Sequence, residues 1–391
     1  MKCYISTDRR YKKPFGAVRQ DQQVSIRILL PRIFGCTEPR LVLYKYGEEE
    51  QVSIPMDFLS LELDCDRYEA QFRVPDIGIY YYFFELPCPD GVRHIRKGRG
   101  GVGCYEIGAP DYQLTVYDKY YHTPCFMKGA VMYQIFPDRF HRSKPVPNCP
   151  FPDRVLREDW GGIPHFKPDE HGEVRNNDYF CGDLNGIAEK LPYLERLGVD
   201  VLYLNPVFEA HSNHRYNTAD YRRIDPLLGS NQEFEALCVQ ALEHGIRIVL
   251  DGVFSHTGDD SVYFNRQGRY GDGGAYRDPE SPYRSWYQFE EYPDRYHSWW
   301  GFKTLPEVDE IPSYTAFICG EEGVLRHWMQ LGVSGWRLDV ADELPDAFLV
   351  NVRRRVAGKP EALLIGEVWR TPPQTQLWQA APYLLGQQLD S

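Results

Sequence analysis

Three carboxylates and one arginine stand at the ends of apolar runs: Asp251 in DGVFSH (251–256), Arg337 and Asp339 in GWRLDVADE (335–343), and Glu367 in IGEVW (365–369). Each run reads as a buried strand, in turn RIVLDGVF, VSGWRLDV and EALLIGEV, with a polar stretch and a helix-like segment after it. That alternation is the βαβ rhythm of a parallel sheet, and it gathers the acids at one edge. Asp339 and Glu367 lie 28 residues apart, room for one helix and no further strand, so the spacing predicts neighbouring strands. Adjacent strands run about 4.8 Å apart. Two inward carboxylates roughly 5 Å apart have the separation of retaining glycosidases, whereas inverting enzymes need about 6.5–9.5 Å to admit a water. Side-chain alternation aims Arg337 and Asp339 the same way, and a guanidinium beside a carboxylate predicts an ionised Asp339, suited to nucleophilic attack. Glu367 follows Leu364, Ile365 and Gly366 and precedes Trp369, an apolar setting that predicts a protonated general acid.

The elements that must position these groups are legible in outline. Strands are predicted near 131–136, 200–205, 246–254, 333–340 and 361–368, with YLLGQQLDS opening a sixth. In NQEFEALCVQALEHG, Phe234, Leu237, Cys238, Ala241 and Leu242 recur at helical spacing, and Gly245 suits the stop. The first 118 residues differ in texture: QVSIRILL, LVLYKY, QVSIPM, RYEAQFRV, YYYFFEL and QLTVYD alternate or run β-branched and aromatic between Pro, Gly and Asp breaks. The expected fold is therefore an antiparallel β-sandwich over 1–118, then an α/β barrel of TIM (β/α)8 type over 119–391 with an inserted domain at about 257–320. From Lys128 onward, less an insertion of about 60 residues, roughly 200 remain for a barrel that typically takes about 250. The expectation is an incomplete barrel of five to six strands.

These runs, with VMYQIFPDRF (131–140), LYLNPVFEAHSNHRYNTADY (202–221) and YHSWWGFKTLPEVDE (296–310), resemble the alpha-amylase family of glycoside hydrolases. Within it they are similar to the neopullulanase, cyclomaltodextrinase and maltogenic amylase branch. The resemblance implies cleavage of α-1,4 glucans, with some α-1,6 or transfer activity, on an oligosaccharide substrate such as a maltooligosaccharide, cyclodextrin or pullulan. It implies Asp339 as nucleophile, Glu367 as acid/base, Arg337 as the arginine holding the nucleophile, His256 and Asp251 as a substrate-binding pair, and Tyr216 as the aromatic stacking on the sugar at the cleavage point. In that branch the N-terminal module often builds a homodimer. Two departures stand out. Ser255 occupies a position where the family usually has Asn, and the family's third acid follows the seventh strand in a His-Asp pair, whereas after Glu367 this sequence has only Asp390 and no His. No cofactor is expected. Some relatives bind calcium through an Asn/Asp-rich first loop, but here that loop reads HRSKPVPNCPFPDR, and Asp183 alone does not supply the 6–8 oxygens the ion takes. Calcium stays open because its ligand loop is not recognisable.

Composition narrows the rest. A net charge of −12 argues against a nucleic-acid partner or an anionic membrane, whose recognition needs clustered basic residues. The N-terminus MKCYISTDRRYKK lacks an apolar signal core and no run approaches the roughly 18 apolar residues of a spanning helix, so a cytoplasmic protein is expected. Ten cysteines without CxxC spacing read as reduced thiols. Trp299, Trp300 and Phe302 are expected to pack a small core within the insertion, with stacking on glucose rings as the alternative. Asp342 and Glu343 read as loop or cap acids. A second function class, a non-catalytic carbohydrate-binding or interaction protein on the same fold, is favoured by the missing third acid and opposed by the presence of both Asp339 and Glu367.

Overall fold

The structure, a computed structural model, describes residues 2–147, 151–170, 172 and 174–369. It separates into two compact units, residues 1–122 and, among the described residues, 123–369.

In the first unit, VSIRILLP forms the strand Val24–Pro31, whose period of two buries Val24, Ile26, Ile28 and Leu30. It lies in a four-stranded sheet between Lys12–Lys13 and Cys65–Phe72, with Asp57–Glu62 outermost. A second, larger sheet is centred on Gly78–Cys88, paired with Arg40–Lys45, Gly91–Lys97 and Tyr112–Tyr117. Side chains of the two sheets meet in one core that includes Ile26, Ile28, Tyr82, Phe84, Leu114 and Val116, and the hydroxyls of Tyr4 and Tyr82 satisfy each other at 2.6 Å inside it. The unit is a β-sandwich. One pairing departs from the antiparallel expectation: Tyr112–Tyr117 runs parallel to Val18–Arg19.

The second unit is built on five parallel strands whose order across the sheet follows their order in the chain: β1 (Met132–Ile135), β2 (Val201–Leu204), β3 (Arg247–Gly252), β4 (Gly335–Leu338) and β5 (Leu363–Gly366). Buried Leu202, Leu204, Ile248, Leu250, Trp336 and Leu338 occupy one parity along β2 to β4. The other parity forms a separate file in which Val201, Val249 and Leu363 cluster with Met132, Tyr203 and Ile365. Continuing that second file toward the C-terminal strand ends leads to Asn205, Asp251, Arg337, Asp339 and Glu367. Helices cross between strands: α1 (Leu184–Leu197) and α2 (Asn231–Glu243) flank β2, α3 (Pro312–Cys319) and α4 (Val324–Gln330) precede β4, and α5 (Asp346–Ala357) joins β4 to β5. Ser230 caps α2 by accepting the Glu233 amide, and Gly245, at φ +72°, turns the chain out of it. Asp183 caps α1. Its carboxylate accepts the Gly186 amide and both the amide and the hydroxyl of Ser143, so hydrogen bonds within the protein account for this acid.

Between β3 and α3 the chain forms no α-helix. It is held instead by ring contacts among Tyr263, Phe264, Trp286, Tyr287 and Tyr296, most of them buried. The sixth strand expected in YLLGQQLDS, and Asp390 with it, lies outside the described residues. No helix among the described residues is long and apolar enough to cross a membrane.

Candidate active site

Register decides which side chains meet. Arg337 pairs with Asp251 across β3 and β4, and with Ile365 across β4 and β5. The ladder continues past the strand ends, where Asp339 donates its amide to Gly252 and Glu367 donates its own to Leu338. Asp339 therefore faces Glu367 across one strand spacing of about 4.8 Å.

One guanidinium joins all three acids. Nη1 of Arg337 donates to Asp251 Oδ1 and to Asp339 Oδ1, both at 2.7 Å, and Nη2 lies 2.6 Å from Glu367 Oε2. Val340, next to Asp339, takes φ +38°, an unfavourable conformation for a β-branched residue, and donates its amide to Glu367 Oε2 at 3.0 Å. Strain at this turn coincides with the point where the two acids are brought into one network.

Electrostatics corrects two expectations. Asp339 is not held as a ready carboxylate: burial, then the charge of Asp251, push its pKa up to about 7 against the pull of Arg337. The single arginine is shared three ways and does not neutralise the cluster. Glu367 does not sit in an apolar setting. It is an ion-pair partner of Arg337, and its side chain keeps 26% of its surface open to solvent. Burial also pushes Asp251 upward, opposed by Arg337, Tyr203 and Tyr216.

Asp251 is fully enclosed. Its Oδ2 accepts the Tyr203 hydroxyl at 2.5 Å and the Tyr216 hydroxyl at 3.0 Å, and a chain from Gln134 through Asn205 supports the latter. His256 is buried as well. Its Nε2 faces the Tyr216 carbonyl at 3.2 Å and, since a carbonyl only accepts, carries the proton; Nδ1 then accepts from the Ser255 hydroxyl at 3.0 Å. Burial lowers the His256 pKa to about 4, so the ring is neutral. Serine at position 255 thus supplies the histidine with a donor.

Trp299 covers His256, with ring centroids 5.3 Å apart, and stacks on Trp300 at 5.2 Å. Trp300 and Phe302 are exposed, Trp300 by 74%, which overturns their expected place in a core of the insertion. Glu343 is more than a loop acid: its two oxygens accept the indole N–H groups of Trp299 and Trp300 at 2.8 and 3.0 Å. Asp342 accepts the Trp369 amide. The residues that sequence reasoning missed are Tyr203 and the clamp of Glu343 on the tryptophans. Tyr203 left a signal, a hydroxyl-tipped side chain two residues from Val201 on the parity that leads to the acids.

This arrangement, with an arginine and an acid on one strand, a second acid at the next strand's end and a third on the strand before, defines a class. Residues 134–381 match the catalytic domain of alpha amylase, and the chain belongs to the alpha-amylase family. It is 37% identical to an amylopullulanase of Thermoanaerobacterium saccharolyticum, over 92% of this chain and 31% of that one. To neopullulanase 2 of Thermoactinomyces vulgaris it is 34% identical, over 89% and 53%. The solved structure of a cyclomaltodextrinase is similar with a TM-score of 0.58 at 25% identity, covering 94% of this chain and 60% of that one. The chain spans about a third of the first relative's length and about half of the second's.

Proposed function

We propose that this chain carries the reacting centre of a retaining glycoside hydrolase acting on α-1,4 glucans, with α-1,6 cleavage and transfer within its range. The observation that carries the reading is the Arg337 guanidinium bonded to Asp251, Asp339 and Glu367 at three successive strand ends. The names of its relatives, amylopullulanase and neopullulanase, support α-glucans as the substrate class.

In this reading Asp339 attacks the anomeric carbon while Glu367, on the neighbouring strand, protonates the departing oxygen; Glu367 then takes the proton from the incoming water or sugar hydroxyl. Asp339 must be ionised and Glu367 protonated at the moment of attack. With three acids around one arginine, the free protein holds its extra proton on Asp339, so attack requires that proton to leave Asp339 first. Asp251 and His256 are the pair that the resemblance assigns to substrate binding: Asp251 holds Arg337 and Tyr216, and His256 lies between Tyr216 and Trp299. Tyr216, half-buried beside the acids, faces the reacting ring. The first unit, which shows no such cluster among its described residues, serves oligomeric state and large-substrate preference, and ten cysteines without CxxC spacing fit a cytoplasmic location.

Proton NMR of the first product from a maltooligosaccharide tests the reaction class. The expected product keeps the α configuration; an initial β anomer would exclude the covalent route. Deleting residues 1–122 is expected to change the sedimentation behaviour and to impair pullulan cleavage more than maltotriose cleavage. An unchanged oligomer that has lost maltotriose cleavage would show instead that the first unit supports the reacting centre.

A further inference from the structure

Tyr203 is not among the residues that the family resemblance assigns, yet it touches both partners that decide the state of the acids. It stands on β2, opposite Val249 of β3, and Asp251 lies two residues further along β3 on the same face. The diagonal places its hydroxyl on Asp251 Oδ2 at 2.5 Å, the shorter of the two phenol contacts on that oxygen. The Arg337 guanidinium lies 5.9 Å from its ring centroid. Asp251 therefore receives Arg337 on one oxygen and two phenols on the other, in a site from which solvent is excluded.

We propose that Tyr203 is a positioning residue that keeps the negative charge on Asp251, and through that charge decides which of the three acids carries the proton of the cluster. The argument rests on the reading of Asp339 as nucleophile. A buried carboxylate persists only while donors satisfy it, and a phenol at this distance on an otherwise enclosed oxygen is a strong one. With Asp251 charged, its field falls on Asp339, which shares the same Nη1 of Arg337, and on the guanidinium itself. Remove the phenol and Asp251 becomes the easier place to put the proton. Asp339 then ionises at lower pH, and Arg337 loses its firmest partner. With the phenol in place Asp251 stays charged, and Arg337 stays aimed toward Asp339 and Glu367.

The test is the acid limb of the pH profile of kcat/KM in the enzyme, measured with a maltosyl fluoride. Tyr203→Phe keeps the ring and removes the hydroxyl. It is expected to move the limb down by about half to one pH unit and to lower kcat about tenfold through the loosened arginine. Incorporating 3,5-difluorotyrosine at position 203 keeps the hydroxyl, makes it a stronger donor, and is expected to move the limb up. Opposite shifts for the two substitutions are the signature. A limb unmoved in both, or moved the same way by both, would overturn the proposal even if Tyr203→Phe folds poorly, because the fluorinated side chain preserves the contact. If Asp339→Asn retains turnover, the reading of the nucleophile fails, an outcome independent of either shift.

Discussion

Three carboxylates on one guanidinium leave two negative charges uncompensated when all are ionised, and Asp339 answers by holding a proton up to a pH of about 7. Its native pKa lies above the roughly 3.9 of an unfolded aspartate. Between those values the folded state binds the extra proton, so this group's contribution to stability is present at low pH and is lost as pH rises toward 7. Asp339→Asn removes that loss. The variant is expected to be more stable than the parent by about 1–3 kcal/mol at pH 8, with the gain shrinking toward pH 4, while turnover falls by about 10⁴-fold or more. Thermal melts at pH 5 and pH 8 check this, and an equal gain at both would contradict the raised pKa. The parent's kcat/KM is likewise expected to fall about tenfold per pH unit below its limb near 7. Glu367→Gln is expected to stop cleavage of maltotriose while sparing maltosyl fluoride, whose leaving group needs no proton. Equal loss on both substrates would remove Glu367 from the role of acid.

Of the elements, β3 to β5 were legible because each is a short apolar run with a chemical residue at its end, a pattern that burial on both faces of a parallel sheet imposes. Helix α2 was legible from its 3.6-residue period and its Gly stop, and α5 from the spacing between Asp339 and Glu367. The inserted segment was legible in its place but not in its course. Its shape comes from rings such as Phe264, Tyr287 and Tyr296 meeting at no fixed period, and the clamp of Glu343 on Trp299 and Trp300 joins residues more than 40 positions apart. The protonation of Asp339 was equally hidden, since it depends on Asp251, which the fold brings next to it from before the insertion. That clamp fixes the exposed Trp300 against Trp299, which covers His256, and the alternative of stacking on glucose rings predicts a dependence on chain length. Trp300→Ala is expected to lower kcat/KM on the order of tenfold more for maltohexaose than for maltotriose, and Glu343→Ala to do the same by freeing both indoles. A loss independent of chain length would put Glu343 at the reacting centre instead.

At the scale of the whole molecule, the second unit's strands join in the order in which the chain supplies them. Asp251 and the arginine that compensates it are 86 residues apart, and the insertion, α3 and α4 all come between. In synthesis β3 is made well before β4, and in refolding its edge stays open until β4 docks. Throughout that interval the edge ends in a carboxylate without its cation, and charge on an open edge discourages pairing with strands of other molecules. If charge at that edge counts, Asp251 acts before it anchors Arg337. Asp251→Asn, which keeps the shape and removes the charge, is therefore expected to scatter more light on refolding by dilution than Asp339→Asn, whose residue belongs to the arriving strand. The solubility of the nascent sheet and the chemistry of the finished one would then rest on the same side chain.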